Sequence, residues 1–393
     1  MKFVLAGYGS RGDVEPLAAV GRELLRRGNE VRLAVPPYML AFMESAGLSA
    51  VGFGPDPPQP RRQSLNSASQ SPIMAMNEVV NHLTRAWSEW GTTLAELARD
   101  ADLVMTGKGE QGLAANVAEH YGIPQAIVHF FPGGKPNLEG LIGTIAKDAE
   151  AAQRCSLGLP EETGAPPDPL EIQAYDLICF PALATESPDD HARRPVVGAL
   201  TLEQPADADD EVLSWIADGT PPIYFGFGGN ARLPYPAATA AAISEACAHL
   251  GERALICSGP SDFRGFQRFD NVKIVPAVNH SVVFPACRAV VHHGGAGTTA
   301  AGLRAGVPTL VLWFELEDQP LWAGAVEALK VGTGRAFSAS TDESLVADLR
   351  SILTPECAAR AGEVAAQMTK PADSVARTAD LLEETARFAR DDR

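Results

Sequence analysis

Two glycine-rich stretches of this 393-residue chain carry side chains able to do chemistry. In the first, Gly7-Tyr8-Gly9-Ser10-Arg11-Gly12 runs directly into Asp13. In the second, His292 and His293 precede Gly294, Gly295, Ala296, Gly297 and Thr298. Glycines let a backbone approach an anion closely. The N-terminus of a following helix adds unpaired N–H groups and about half a positive charge. The second stretch therefore reads as a phosphate cradle, with a tight strand-to-helix turn as the plainer alternative. An imidazole beside such a pocket donates a hydrogen bond and can carry part of a positive charge. Successive strand residues face opposite ways, so only one of the two histidines serves the loop. His293 is the candidate, and His292 reads as a structural strand-end residue.

The first stretch also fits G-x-G-x-x-G between a strand and a helix, which makes a dinucleotide-dependent dehydrogenase one reading. Two features speak against it. The second strand ends Ala34-Val35-Pro36-Pro37, with no acid to hold a ribose hydroxyl. Asp13 stands at the helix N-terminus, where it would repel a pyrophosphate. A helix-terminal carboxylate serving only the dipole is the other alternative, worth about 0.3–1 kcal/mol.

Positioning these loops takes strands and helices. Lys2–Ala6 and Ala289–Val291 are short apolar runs that read as buried parallel strands. Val14–Arg27 and Thr298–Arg304 read as the helices that follow, the latter stopped by Gly306 and Pro308. Further strands are expected at Val31–Val35, Leu103–Thr106, Gln125–His129, Leu177–Phe180, Ile223–Phe227, Ala254–Cys257, Val272–Val275 and Thr309–Leu312. Strand–glycine–helix thus opens each half, and the length exceeds one ordinary core. The expected organisation is an N-terminal α/β domain (1–202), an acidic, structureless linker (203–214), a second α/β domain (215–372) and an amphipathic C-terminal helix (373–393).

The net charge of −17 and pI of about 4.9 disfavour nucleic acid and docking on an anionic membrane. Six scattered cysteines without a CxxC read as free thiols of a cytoplasmic protein. The start, with its charged residues, reads as a first strand rather than a signal peptide. No HExxH or Cys/His zinc spacing occurs, and the D-x-D of Asp207 and Asp209 reads as solvated, so neither metal nor cofactor is expected.

The motifs HHGGAGTT, AGVPTLVLW and EDQPLWA, the N-terminal GYGSRGDVEPLAAVGRELLRRGNEVRLAVPP and the weaker PPIYFGFG occur in an order that resembles the family 1 glycosyltransferases. The likeness reaches from residue 1 to about 335 and is closest to the bacterial branch acting on glycopeptide antibiotics, sterols and related natural products. It implies the GT-B fold: two Rossmann-like domains facing an interdomain cleft, the C-terminal helix crossing back onto the first. It implies an inverting, metal-independent transfer of a hexose from a UDP- or TDP-sugar to a hydroxyl of a hydrophobic acceptor. SRGDV matches the family's base position, which makes Asp13 the general base. Ser10, Arg11, Trp87, His129 and Phe131 are the candidate acceptor contacts. On the donor side the resemblance implies Gly228, Gly229 and Asn230 near the phosphate, where Gly229 replaces a usual serine. Val278 belongs to the base-reading loop, His293 and Gly294–Thr298 hold the diphosphate, and Asp318 and Gln319 read the sugar. Trp313–Glu317 departs from the family pattern, being one residue longer. The loop at 54–72, the following helix and residues 130–146 are expected to choose the acceptor. The chain is expected to be a monomer or homodimer. A catalytically inactive nucleotide-sugar-binding partner protein is the reading from another functional class.

Overall fold

The computed structural model describes residues 1–56, 72–133, 140–160, 168–185, 193–229, 233, 235–263, 269–314 and 318–391. The chain divides into two compact units. Unit 1 comprises 1–173, 187–195 and 375–393, and unit 2 comprises 174–186 and 196–374.

Unit 1 is built on β1 (Lys2–Ala6), β2 (Glu30–Val35), β3 (Ala50–Gly52), β4 (Leu103–Gly107), β5 (Gln125–His129) and β6 (Leu170–Gln173). They form one parallel sheet in the order β3-β2-β1-β4-β5-β6. Residues 3–6 of β1 are fully buried, as an inner strand covered on both faces requires. The helix Arg11–Arg26 starts from a capping box in which Ser10 caps and Asp13 reaches back to the Ser10 amide. It ends just before Gly28, whose positive φ turns the chain into β2. On one face of the sheet, Ala86, Trp87, Trp90 and Leu94 of the helix Pro72–Leu97, with Ala98 just after it, meet Val4, Ala6 and Val104.

Unit 2 repeats this winding. Its strands are β7 (Ile223–Gly226), β8 (Ala254–Cys257), β9 (Val272–Val275), β10 (Ala289–His292), β11 (Thr309–Trp313) and β12 (Gly332–Ala336), in the order β12-β11-β10-β7-β8-β9. All pairs are parallel. Read from the other edge, this is the first sheet's order strand for strand. In each sheet the first and fourth strands are neighbours, and their connections leave in opposite directions. That reversal opens a crevice at the strands' carboxyl ends.

The C-terminal helix Pro371–Asp391 buries Ala379, Leu382 and Ala386. Arg27 binds its Asp380 at 2.6 Å and Glu383 at 3.1 Å, and Asn29 donates to Glu383 at 2.6 Å. Among the described residues no helix is long and apolar enough to cross a membrane.

Three expectations need correction. Leu177–Phe180 is no strand: Leu177–Cys179 forms a 3-10 turn, and Phe180 packs edge-on against Trp322 at 5.0 Å. Pro181, which follows, has no N–H for a ladder, and β6 already fills the sheet position. The acidic linker is not structureless, because Asp209–Ala217 is a helix with three acidic residues in its first turn. Asp209 is not solvated either. It is buried and accepts from the amides of Ala206 and Asn279, both at 2.8 Å.

Candidate active site

In unit 1 the crevice lies beside the loops that follow β1 and β4. It holds a cavity of about 140 Å³, lined by Gly7, Tyr8, Asp13, residues 107–110 and Val128–Phe131. Asp13 is fixed there by its neighbour: Oδ2 accepts from the Ser10 amide at 2.6 Å and from the Ser10 hydroxyl at 3.0 Å. Gly9 makes room for this, since a side chain there would run into the Asp13 carboxylate and its φ of +148° suits glycine alone. Ser10 Oγ also accepts from the Gly12 amide at 3.1 Å. Ser10 thus orients the proposed base and does not line the cavity.

Arg11 is exposed, paired with Glu15 at 2.7 Å and set over the Phe42 ring at 4.8 Å. It is not among the cavity residues. His129, at the end of β5, and Phe131 are. Burial, helped by the charges of Arg194 and Lys108, lowers the His129 pKa to about 4, so its ring is neutral at pH 7. Its Nε2 lies 3.5 Å from a Glu171 carboxylate oxygen. The Lys108 ammonium sits 5.3 Å from the Phe131 ring centre.

Trp87 needs correction. It is buried in the core, 4.6 Å from the Trp90 ring, and does not line the cavity. The spacing of three places both indoles on the helix face that meets the sheet. Trp90 packs against Tyr8 at 4.8 Å and so backs the cavity wall from behind.

The sequence reading missed two residues of this cavity, Lys108 and Glu110. Their signal was a second glycine-flanked loop, Gly107-Lys108-Gly109-Glu110, between a strand and a helix. Glu110 is 4% exposed and accepts from the Tyr8 amide at 3.2 Å. Burial, reinforced by the charge of Asp13, pushes its pKa up to about 8 against the pull of that amide.

In unit 2 the equivalent crevice lies where β7 and β10 end. The His293 ring rests over Gly228 and Gly295. A Cβ at either position would lie only 3.0 and 2.7 Å from its Nε2. Gly228 and Gly294 have φ of +88° and +90°, which leaves both to glycine. Helix Ala296–Ala305 starts at Gly295 with no side-chain cap, so its first N–H groups face the loop. Gly297 and Thr298 lie in its first turn. His292 is fully buried, and its Nδ1 accepts from the Gly294 amide at 2.9 Å. That bond places the ring proton on Nε2 and makes His292 a brace for the loop. Burial holds the His292 pKa well below its ordinary value and lowers that of His293 to about 4. His293 is therefore neutral at pH 7, not partly charged as its surroundings in the sequence suggest.

Gly229 follows Gly228, and Asn230 lies outside the described residues. Val278 is buried beside Tyr224 and Phe284. Asp318 stands just before the helix Gln319–Ala328. Gln319 is buried, and its Oε1 accepts from the Phe314 amide at 2.7 Å. That bond ties Gln319 to the end of β11. Residues 315–317 of the Trp313–Glu317 departure lie outside the described residues, as do 57–71 and 134–139 of the expected acceptor segments. Among the described residues no group of three or more His, Cys, Asp or Glu is placed to hold a metal ion.

Comparison with known proteins adds to this geometry. Residues 3–127 match the glycosyltransferase family 28 N-terminal domain, and 266–381 match the erythromycin biosynthesis protein CIII-like C-terminal domain. An uncharacterized glycosyltransferase of Mycobacterium tuberculosis is 53% identical, covering 99% of this chain and 100% of its own. The vancomycin aglycone glucosyltransferase of Amycolatopsis orientalis is 30% identical over 96% of each chain. The crystal structure of the glycosyltransferase VinC in complex with DTDP matches with a TM-score of 0.69 and 18% identity, covering 99% of this chain and 100% of that one. With two parallel six-stranded sheets of one winding, matched over its whole length by glycosyltransferases, the chain belongs to the bacterial GT-B glycosyltransferases, in the branch that includes the vancomycin aglycone glucosyltransferase.

Proposed function

We propose that the protein is an inverting, metal-independent glycosyltransferase. It moves a hexose from a UDP- or TDP-sugar to a hydroxyl of a small hydrophobic acceptor. The observation that carries this reading is the contrast between two crevices of identical topology. The one in unit 1 presents a fixed carboxylate, Asp13, in a cavity walled by Tyr8, Phe130 and Phe131. The one in unit 2 presents glycine N–H groups, a helix N-terminus and His293. An acid crevice suits a proton to be removed, and an anion cradle suits a diphosphate to be held.

In this mechanism Asp13 accepts the proton of the acceptor hydroxyl as its oxygen attacks the anomeric carbon. The bond from that carbon to the diphosphate oxygen breaks with inversion. The leaving charge is taken up by the N-terminal amides of helix Ala296–Ala305 and by the His293 imidazole. The anion raises the His293 pKa, so the ring gains charge when the donor is bound. Asp318 and Gln319 contact sugar hydroxyls, and Val278 marks the loop that meets the base. DTDP bound to VinC and the glucosyl transfer named for the vancomycin relative support the choice of donor class. The acceptor class rests on the aromatic wall of the cavity. The test is a panel of UDP- and TDP-hexoses against hydroxylated aromatic and alicyclic acceptors, read by mass spectrometry. Products one hexosyl unit heavier than the acceptor support the reading. Donor binding without any product would leave a nucleotide-sugar-binding protein instead.

A further inference from the structure

We propose that Glu110 acts in the acceptor cavity as a neutral acid, donating a hydrogen bond to a second oxygen of the acceptor beside the hydroxyl that Asp13 activates. The inference rests on the reading above that this cavity receives the acceptor. It adds a specificity-determining residue and narrows the substrate class to alcohols with a neighbouring hydroxyl, ether or carbonyl oxygen.

The geometry comes first. Two carboxyl groups, Asp13 and Glu110, line one cavity of about 140 Å³. Asp13 enters from the helix Arg11–Arg26 and Glu110 from the residue after the β4 loop. Two like charges in so small a buried space oppose each other, so the more buried group keeps its proton. Glu110 is that group, at 4% exposure. The other groups facing the cavity do not ionise it. Tyr8 donates its hydroxyl to the Pro55 carbonyl at 2.9 Å, and burial pushes its own pKa up to about 12. His129 is neutral. Lys108 lies over the Phe131 ring. Burial and the charge of Asp13 hold the proton on Glu110, against the Tyr8 amide and its own.

A buried carboxylic acid has one O–H to donate and loses free energy when that donor goes unmet. One carboxyl oxygen of Glu110 is engaged by the Tyr8 amide at 3.2 Å. An acceptor that brings only its reacting hydroxyl satisfies Asp13 and leaves the Glu110 proton without a partner. An acceptor with two adjacent oxygens satisfies both.

The test needs no knowledge of the natural acceptor. The first arm is infrared spectroscopy of wild type minus Glu110→Gln across a pH series. A protonated-carboxyl band present at pH 7 and lost near pH 8 is expected, and no such band at pH 7 overturns the proposal. The second arm is binding of trans-2-methoxycyclohexanol and cyclohexanol, read by ligand-observed NMR; neither probe titrates, and the ether oxygen can only accept. Wild type should prefer the methoxy alcohol by about 3- to 10-fold, the ratio for one ordinary hydrogen bond. Glu110→Gln keeps an acceptor for the Tyr8 amide and an N–H for the cavity, so it should retain the preference at every pH. Wild type should lose the preference above pH 8, and Glu110→Ala at all pH values. A preference that survives in Glu110→Ala, or that is absent from wild type at pH 7, overturns the proposal. If neither probe binds while the infrared band is present, the cavity is not the acceptor site, and the functional reading fails rather than the Glu110 proton.

Discussion

Ser10 holds Asp13 by two bonds to one oxygen: its amide and its hydroxyl both donate to Oδ2, at 2.6 and 3.0 Å. The amide bond is one half of a capping box, so the group proposed as base also starts the helix on which it stands. Structure and chemistry share the residue, and the two roles respond differently to substitution.

Asp13→Asn keeps an amide oxygen able to accept from the Ser10 backbone but cannot take a proton. Turnover should fall by about 10²–10⁴-fold, while nucleotide-sugar affinity and melting temperature stay near wild type. Asp13→Ala should add a loss of about 0.5–2 kcal/mol in stability from the broken cap. Steady-state kinetics with denaturant melts separates the two. Near-wild-type turnover in Asp13→Asn removes the base assignment.

His293→Ala should weaken UDP or TDP binding by about 10- to 100-fold, the cost of a hydrogen bond to a charged group. His292→Ala should act mainly on stability, through the Gly294 amide that its Nδ1 accepts. The pH dependence supplies the sign. Burial lowers the His293 pKa to about 4, and a bound diphosphate raises it. Binding therefore takes up a proton and tightens as pH falls from 7 towards 5. Calorimetry should show this slope in wild type and a smaller one in His293→Ala. Equal slopes contradict it.

The Glu110 carboxyl also predicts a stability profile. Its folded pKa of about 8 exceeds the ordinary 4.5. Between those values the unfolded chain releases a proton that the fold keeps. Wild-type stability from this group therefore falls as pH rises through that window. Glu110→Gln lacks the effect, so its melting temperature should gain on wild type from pH 4.5 to 8 and level off above. A difference that does not change with pH contradicts this.

Transfer should survive EDTA, because the glycine amides, the helix N-terminus and His293 are proposed to carry the leaving charge. Loss of turnover in EDTA that Mg²⁺ or Mn²⁺ restores would assign that work to a metal.

Much of this was legible in the sequence wherever apolar runs met glycines. β1, β4, β5, β7 and β10 announce themselves as short buried runs, and the loops after β1 and β10 by their glycines. β12, Gly332-Thr333-Gly334-Arg335-Ala336, was invisible because it has almost no apolar side chain and owes its place to pairing with β11. Glu110 was missed for a related reason. One acid after a strand looks like any solvated loop residue until the fold folds Tyr8 over it. Trp87 was misread in the opposite sense, since an indole in a helix suits a pocket wall and a core equally until the facing sheet is known.

The central claim is glycosyl transfer with inversion, and the most direct measurement is proton NMR of the first product formed from an α-linked UDP- or TDP-hexose. The account predicts a β-glycoside, formed by wild type and reduced at least 100-fold in Asp13→Asn. An α-glycoside, or a β-glycoside formed equally well by Asp13→Asn, would contradict it.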